Sequence, residues 1–368
     1  MSFTIQNIAP EIEHKTAKDF DSIPKYLDID SIIEYAIPLS YHNFASSIIQ
    51  DIYETYEPYR EKIFQKISSH ILYLSFANIG NYVIQKIIEC DPNKCEIILD
   101  QIKNYIFQLS MNKHGTYVIQ KLIEKIQVEC LVNISKELEG HYYELAVDKD
   151  GNQVLQKLIK RQKKEENDKI FIEISDYVIM LLRNQYGCYV VQELLNNCSE
   201  ITYNQILEIS GKNIKTLINN KYGNYIIKYF LENSKGDISR YIDKISQAIK
   251  GNIFNLSRKK NSVMIIEKVL EMGNKSQRKN IIKEIFNLDQ FQNDCLTTLA
   301  KDDYGNHVVK LLLKFSDEET KEIMARKILS DPGVQKNEGK SAFVVYYIEN
   351  TLNKRKPLII LKNKIKKG

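Results

Sequence analysis

Apolar residues recur along the whole chain at positions i, i+1, i+4 and i+5 of a short stretch. Val83, Ile84, Ile87 and Ile88 form one such set, and Val190, Val191, Leu194 and Leu195 form another. This spacing puts the apolar side chains on one stripe of an α-helix, so each stretch predicts an amphipathic helix. No copy shows the apolar–polar alternation of a strand. The stretches align without gaps: LSYHNFASSIIQD from Leu39, LSFANIGNYVIQK from Leu74, LSMNKHGTYVIQK from Leu109 and LAVDKDGNQVLQK from Leu145. LLRNQYGCYVVQE from Leu181, LINNKYGNYIIKY from Leu217, LSRKKNSVMIIEK from Leu256 and LAKDDYGNHVVKL from Leu299 complete a set of eight. A second amphipathic segment, such as NKCEIILDQIKNYIFQL ahead of the third copy, fills the rest of each period and predicts a helical pair.

Internal repetition of this length decides the fold class. A helical pair of about this size cannot bury its apolar stripe alone, and stacking on its neighbours does so. The expectation is an all-α fold: a right-handed α-solenoid, a superhelical crescent of eight repeats with one concave helical face. Residues 27–352 would hold the repeats and their caps, between an extension over 1–26 and a basic tail over 353–368. Leu27 to Ala36 would cap the front and Ser341 to Leu352 the back, and FNLDQFQND, from Phe286, reads as a loop between the last two copies. A glycine stands just before most of the predicted helices, as at Gly80 and Gly187, where it lets neighbouring backbones approach. Ala45 and Ser262, both small, take that place in the first and seventh copies.

Three positions on each helix are not explained by the apolar stripe. Position one follows the small residue: Ser46, Asn81, Thr116, Asn152, Cys188, Asn224, Val263 and Asn306, spaced by 35, 35, 36, 36, 36, 39 and 43 residues. Position two is Ser47, Tyr82, Tyr117, Gln153, Tyr189, Tyr225, Met264 and His307. Position five is Gln50, Gln85, Gln120, Gln156, Gln192, Lys228, Glu267 and Lys310. Positions one and five lie a turn apart on one face. An N-cap role accounts for Asn, Ser or Thr at position one. It does not account for glutamine at position five in five successive copies, or for tyrosine at position two in four. Aromatic rings offer stacking platforms, and side-chain amides read base edges through donor and acceptor together. The pattern therefore points to single-stranded RNA.

Composition permits this reading without requiring it. The net charge is +5, with 52 basic and 47 acidic residues. Lys86, Lys121, Lys157 and Lys268 follow position five, while Lys113, Lys149 and Lys221 precede position one by three residues. Both sets suit either phosphate neutralisation or plain solvation. The six cysteines form no C-x-x-C pair and no zinc spacing, which fits reduced thiols and a cytoplasmic or nuclear protein. No apolar run reaches the roughly 20 residues of a bilayer span, and no secretory leader is expected at the start. The six histidines are scattered, no paired catalytic constellation is visible, and neither enzyme activity nor a cofactor is expected.

The motifs GNYVIQK, GTYVIQK and GCYVVQE, in their eightfold setting, resemble the Pumilio (PUF) family of RNA-binding repeats. The resemblance covers about Leu27 to Leu352 and implies one base per repeat, with the RNA running antiparallel so that the eighth repeat meets the first base. In that family Asn with Gln reads uracil, Cys or Ser with Gln reads adenine, and Ser with Glu reads guanine. Carried over, the implied target is UGUA followed by a UAUA-like stretch. Three departures affect its 5′ end. Lys228 and Lys310 replace glutamine, and an ammonium group, having only donors, cannot accept the uracil N3–H. It can donate to a uracil carbonyl or pair with a phosphate. Val263 replaces the serine beside Glu267. The resemblance further implies a monomer acting on mRNA 3′ untranslated regions, with deadenylase or translational-repressor partners. Alternatives are a Pumilio-like rRNA-processing factor and a protein-binding helical scaffold.

Overall fold

The computed structural model describes residues 28–233, 238–286, 294–334 and 339–352. The expected extension over 1–26, Leu27, the residues of the loop from 287 to 293 and the basic tail over 353–368 lie outside the described residues. Among the described residues the chain is all-α, with no β-strand. Two compact units divide it, one ending at Ile206 and the other beginning at Leu207.

In the first unit the helices carrying the three special positions are α1 (Ala45–Thr55), α2 (Gly80–Cys90), α3 (Gly115–Lys125), α4 (Gly151–Arg161) and α5 (Gly187–Asn197). Each packs against the next. The second unit holds α6 (Gly223–Asn233), α7 (Val263–Met272) and α8 (Gly305–Phe315), again packed in succession. The predicted stripe forms the core: Val83, Ile84, Ile87 and Ile88 are buried, as are Val190, Val191, Leu194 and Leu195. The expected caps are helices too, Ile29–Glu34 in front and Ser341–Leu352 behind. Asp28 caps the front helix by accepting from Ser31 N at 2.8 Å.

Each repeat holds three helices where the sequence predicts a pair. The stretch ahead of the glycine is itself a short helix, such as Ile71–Phe76 or Ile106–Ser110. A third helix follows the special one, such as Cys95–Gln101 or Leu131–Leu138. The segment read as one helix before the third copy breaks at Asn104, whose φ of 69° is left-handed. Its apolar residues Ile98, Ile102 and Ile106 keep a four-residue spacing across the break, and all three are buried, so periodicity alone cannot reveal it. Gly140, at φ 85°, makes the equivalent break in the next repeat.

The third helix then reaches back to cap the first. The Glu173 carboxylate accepts from Gly140 N at 2.8 Å and Tyr142 N at 2.9 Å. Glu284 does the same for Gly251 and Ile253, both at 2.7 Å. Glu137 accepts from Asn104 N at 2.7 Å. These carboxylates satisfy helix-start donors that would otherwise have no partner.

Gly80 is required by close approach, since a Cβ there would lie 2.9 Å from Leu74 O. Where the seventh repeat has Ser262 instead, its hydroxyl donates to Leu256 O at 2.8 Å and the helix begins one residue later. A buried polar chain also ties repeats three to five together. Ser135 Oγ donates to Gln162 Oε1 at 2.7 Å, and Gln162 Nε2 to Asn167 Oδ1 at 2.8 Å. Asn167 Nδ2 then donates to Ile159 O at 2.9 Å and Asn197 O at 3.0 Å.

Candidate RNA interface

A shared turn sets up the interface. Asn112 Oδ1 accepts from His114 N and Gly115 N, both at 2.9 Å, which closes the chain into the start of α3. Asp148, Asn184, Asn220 and Asp302 do the same ahead of α4, α5, α6 and α8. In these repeats the helix starts at the glycine, so position one is its second residue and not its cap, while in α7 Val263 is the first residue after the Ser262 cap.

Position one is buried in all eight repeats, from Asn152 at 0% exposure to Val263 at 8%. The asparagines there are held by the turn they follow. Asn81 Nδ2 donates to Ala77 O at 2.7 Å and Asn78 O at 2.9 Å. Asn152 and Asn306 repeat both bonds, and Asn224 repeats the first at 3.3 Å. The capping role is thus excluded, but a structural role replaces it.

Position five is half-buried in every repeat and, in four of the five repeats of the first unit, hydrogen-bonds back to position one. Gln85 Nε2 donates to Asn81 Oδ1 at 2.8 Å, and Gln156 Nε2 to Asn152 Oδ1 at 2.8 Å. Gln120 Nε2 donates to Thr116 Oγ1 at 2.9 Å, and Gln50 Nε2 to Ser46 O at 3.2 Å. These bonds occupy an amide N–H and leave Oε1 as an acceptor. At position two, Tyr82, Tyr117, Tyr189 and Tyr225 are each 50–54% exposed, which leaves a ring face open. Ser47, Gln153 and His307 are exposed and Met264 is half-buried. Ser47 Oγ donates to Phe44 O at 2.7 Å, and Gln153 Nε2 to Asn152 Oδ1 at 3.0 Å.

The second unit differs at position five. Lys228 Nζ stands 3.9 Å from Glu232, a turn further along α6. Lys310 Nζ lies 5.9 Å from the centroid of the Phe343 ring. Burial raises the Glu267 carboxyl above its ordinary range, and the nearby charges of His307, Lys268 and Lys310 oppose that rise. Cys188 lies at position one of α5, where burial pushes its thiol up.

The lysines that follow position five serve the scaffold. Lys86 pairs with Glu54 at 2.8 Å, Lys121 with Glu124 at 3.6 Å and Glu89 at 3.9 Å, and Lys157 with Glu124, so that a ladder of charges links α1 to α4. Lys268 pairs with Glu271 at 3.3 Å. Lys113, Lys149 and Lys221 are exposed and pair with no described carboxylate.

Sequence reasoning missed two aromatic sites. The back cap continues the repeat register: Ala342 lies 36 residues after Asn306, and Val344, Val345 and Ile348 are buried as in the repeats. Phe343 therefore stands at position two and Tyr346 at position five, 61% and 70% exposed. The FVVYY string at the repeat period was the available signal. Phe44, 80% exposed at the start of α1, stands just before the small residue, the place that Tyr186, Tyr222 and Tyr304 take in their repeats, and that recurrence was the available signal.

Among the described residues no helix is long and apolar enough to cross a membrane, and no cluster of His, Cys, Asp and Glu could hold a metal ion. All six cysteines are free thiols.

The Pumilio-family RNA binding repeat matches seven stretches, residues 70–103, 105–138, 141–175, 177–209, 213–245, 265–286 and 296–329. The chain belongs to the Pumilio family, whose repeats bind RNA and are not enzymes. The first copy falls outside those seven, yet α1 repeats their burial pattern. A structure of PUF-8 in complex with PBE-RNA is similar over 92% of this chain and 99% of its own, with 22% identity and a TM-score of 0.72. The Puf3 RNA binding domain bound to a Cox17 RNA 3′ UTR recognition sequence matches 91% of this chain and 99% of its own, at 25% identity and a TM-score of 0.71. The RNA-binding domain of yeast Puf5p bound to AAT2 RNA matches 86% of this chain and 96% of its own, at 20% identity and a TM-score of 0.69. Among curated protein sequences none matches.

Proposed function

We propose that this protein binds UGUA-containing, A/U-rich elements in mRNA 3′ untranslated regions, one base per repeat, and lowers the translation or lifetime of the message. The carrying observation is the triplet: a buried group at position one and a half-buried polar group at position five on every reading helix, with an exposed tyrosine between them on four of the eight. Uracil presents acceptor, donor and acceptor along its edge, and a glutamine held through Nε2 offers Oε1 to the N3–H. Asn81 with Gln85 and Asn152 with Gln156 take uracil in this reading. Ser46 with Gln50, Thr116 with Gln120 and Cys188 with Gln192 take adenine, the Cys188 thiol meeting its base uncharged. Tyrosines at position two stack between bases, each worth about 1–3 kcal/mol.

The 5′ end falls to the second unit. Asn306, His307 and Lys310 meet the first base, Val263, Met264 and Glu267 the second, and Asn224, Tyr225 and Lys228 the third. Glu267 as a carboxylate accepts two N–H groups from guanine, a pair no other base presents. Phe343, beyond α8, closes the stack over the first base. The protein acts as a cytoplasmic monomer and recruits deadenylase or translational-repressor partners. Fluorescence anisotropy with UGUAUAUA RNA, beside versions scrambled in UGU or in UAUA, tests the reading. Loss of binding with either scramble supports it, and equal affinity for all three refutes it in favour of shape-based RNA or protein binding.

A further inference from the structure

Repeats two and seven depart from the rule for the turn ahead of the reading helix, with Ala77 in the acceptor's place in one and Lys259 in the other. In five repeats an Asn or Asp accepts from the turn, and in the first His42 Nδ1 accepts from Ala45 N at 3.3 Å. The seventh repeat has Lys259 there, a side chain with no acceptor. Its turn closes through the backbone instead, Lys259 O accepting from Ser262 N at 3.1 Å beside the bond from Val263 N at 3.0 Å that has a counterpart in every repeat. The Lys259 ammonium group is therefore released from any part in the turn.

Lys259 and Lys260 line a notch of about 270 Å³ together with Lys221 from the corresponding turn of repeat six. The amide residues Asn219, Asn220 and Asn261 complete its polar wall, and no carboxylate lines it. None of the three lysines pairs with a described carboxylate. Cations around them do: Arg258 with Asp302 at 3.0 Å, Lys301 with Asp331 at 3.2 Å and Lys340 with Asp303 at 3.6 Å. The three lysines border one notch whose lining residues include no carboxylate, and Lys221 Nζ also lies 5.3 Å from the centroid of the Tyr222 ring. An anion that brings only acceptors supplies the counter-charge that the lining lacks.

We propose that this notch takes a phosphate group of the bound RNA strand, on the segment carrying the second and third bases. The proposal deepens the RNA-binding reading and rests on it. The notch lies at the starts of α6 and α7, in the two repeats where Lys228 and Val263 depart from the base-reading pattern. A phosphate contact supplies affinity there without regard to sequence, while base contacts specify elsewhere.

The test uses the full chain and two variants, K259Q/K260Q and, as a charge control in a third helix, Lys169→Gln. Circular dichroism establishes that each variant folds. RNA affinity is then followed with salt. Each phosphate neutralised on a single strand contributes about 0.7 to the slope of log affinity against log salt. The expected result for K259Q/K260Q is a slope lower by about 0.7 and a loss of about threefold at moderate salt, equal for UGUAUAUA and for base-substituted RNAs. Lys169→Gln leaves the slope unchanged. A walk of single methylphosphonate linkages along the RNA finds one position, in the UGU segment, at which wild type and K259Q/K260Q bind alike.

An unchanged slope with base discrimination intact overturns the phosphate site and leaves the function standing. A lower slope with one sensitive linkage, but no base discrimination, keeps the site and refutes the function. Absence of RNA binding by the wild type refutes both. Titration with inorganic phosphate separates a free-anion site: chemical shifts that move only when the lysines are present, with no change in the RNA slope, also overturn the proposal.

Discussion

Repeats one to five and repeats six to eight share a scaffold and differ in what it displays. In the first group position five is always glutamine, and in four of the five its amide is hydrogen-bonded to position one. In the second group it is Lys228, Glu267 and Lys310, each charged and each near another charge or a ring. Position one does not follow that division. Asn224 and Asn306 are as buried as Asn81, and both donate back to their turns although a lysine has replaced the glutamine. Asparagine at position one is thus also held by the turn, so its presence beside Lys228 or Lys310 does not by itself mark a uracil site.

The largest effect expected from breaking this contrast comes from position five in the intact group. Gln192→Ala should weaken UGUAUAUA binding by about 1–3 kcal/mol, roughly 5- to 150-fold. Lys228→Ala should cost less than threefold. Equal losses in anisotropy titrations would mean that Lys228 reads its base as well as a glutamine does.

Position one should show no such asymmetry. Asn81→Ala and Asn306→Ala each remove a buried donor from two backbone carbonyls, at a cost of about 1–3 kcal/mol. Thermal melts should fall similarly for both. A variant that melts like the wild type while losing RNA would return position one to a purely reading role.

The contrast also shows what the sequence could convey. The apolar stripe was legible because burial selects residue type at every turn, as Val83 and Ile87 show. Depth on the face was not legible. Periodicity places Asn81 and Gln85 together, but the preceding turn decides that one is buried and the other half-open. Partners far along the chain were likewise hidden. Glu173 caps a helix start 31 residues earlier, and Lys86 pairs with Glu54, 32 residues before it. Spacing alone therefore left Lys86, Lys121 and Lys157 open between phosphate neutralisation and solvation, and the structure makes them rungs of a ladder.

A smaller gain should come from restoring the pattern. Lys228→Gln supplies the missing acceptor beside Asn224 and should sharpen the preference for uracil at the third base by about 1 kcal/mol. Base substitutions at that position, titrated against both proteins, measure the gain. An unaltered preference would place the third base outside the reach of α6.

The smallest effect is a pH dependence confined to the second base. Glu267 must be ionised to accept from guanine, and burial raises its carboxyl above the ordinary range. A bound guanine favours the carboxylate, so affinity is full above the free-state value and falls as pH falls through it. The fall should begin closer to neutrality than it would for an exposed glutamate. Lys268 and Lys310, together with His307 when protonated, favour the carboxylate and limit the effect, while Glu271 adds to it. The clean readout is the ratio of affinities for UGUAUAUA and UAUAUAUA across pH, because only the guanine depends on the carboxylate. That ratio should decline by a few-fold in mild acid for the wild type and stay level for Glu267→Gln, which offers guanine one acceptor at any pH. A level ratio in the wild type would take Glu267 out of guanine recognition and leave the second base to stacking on Met264 alone.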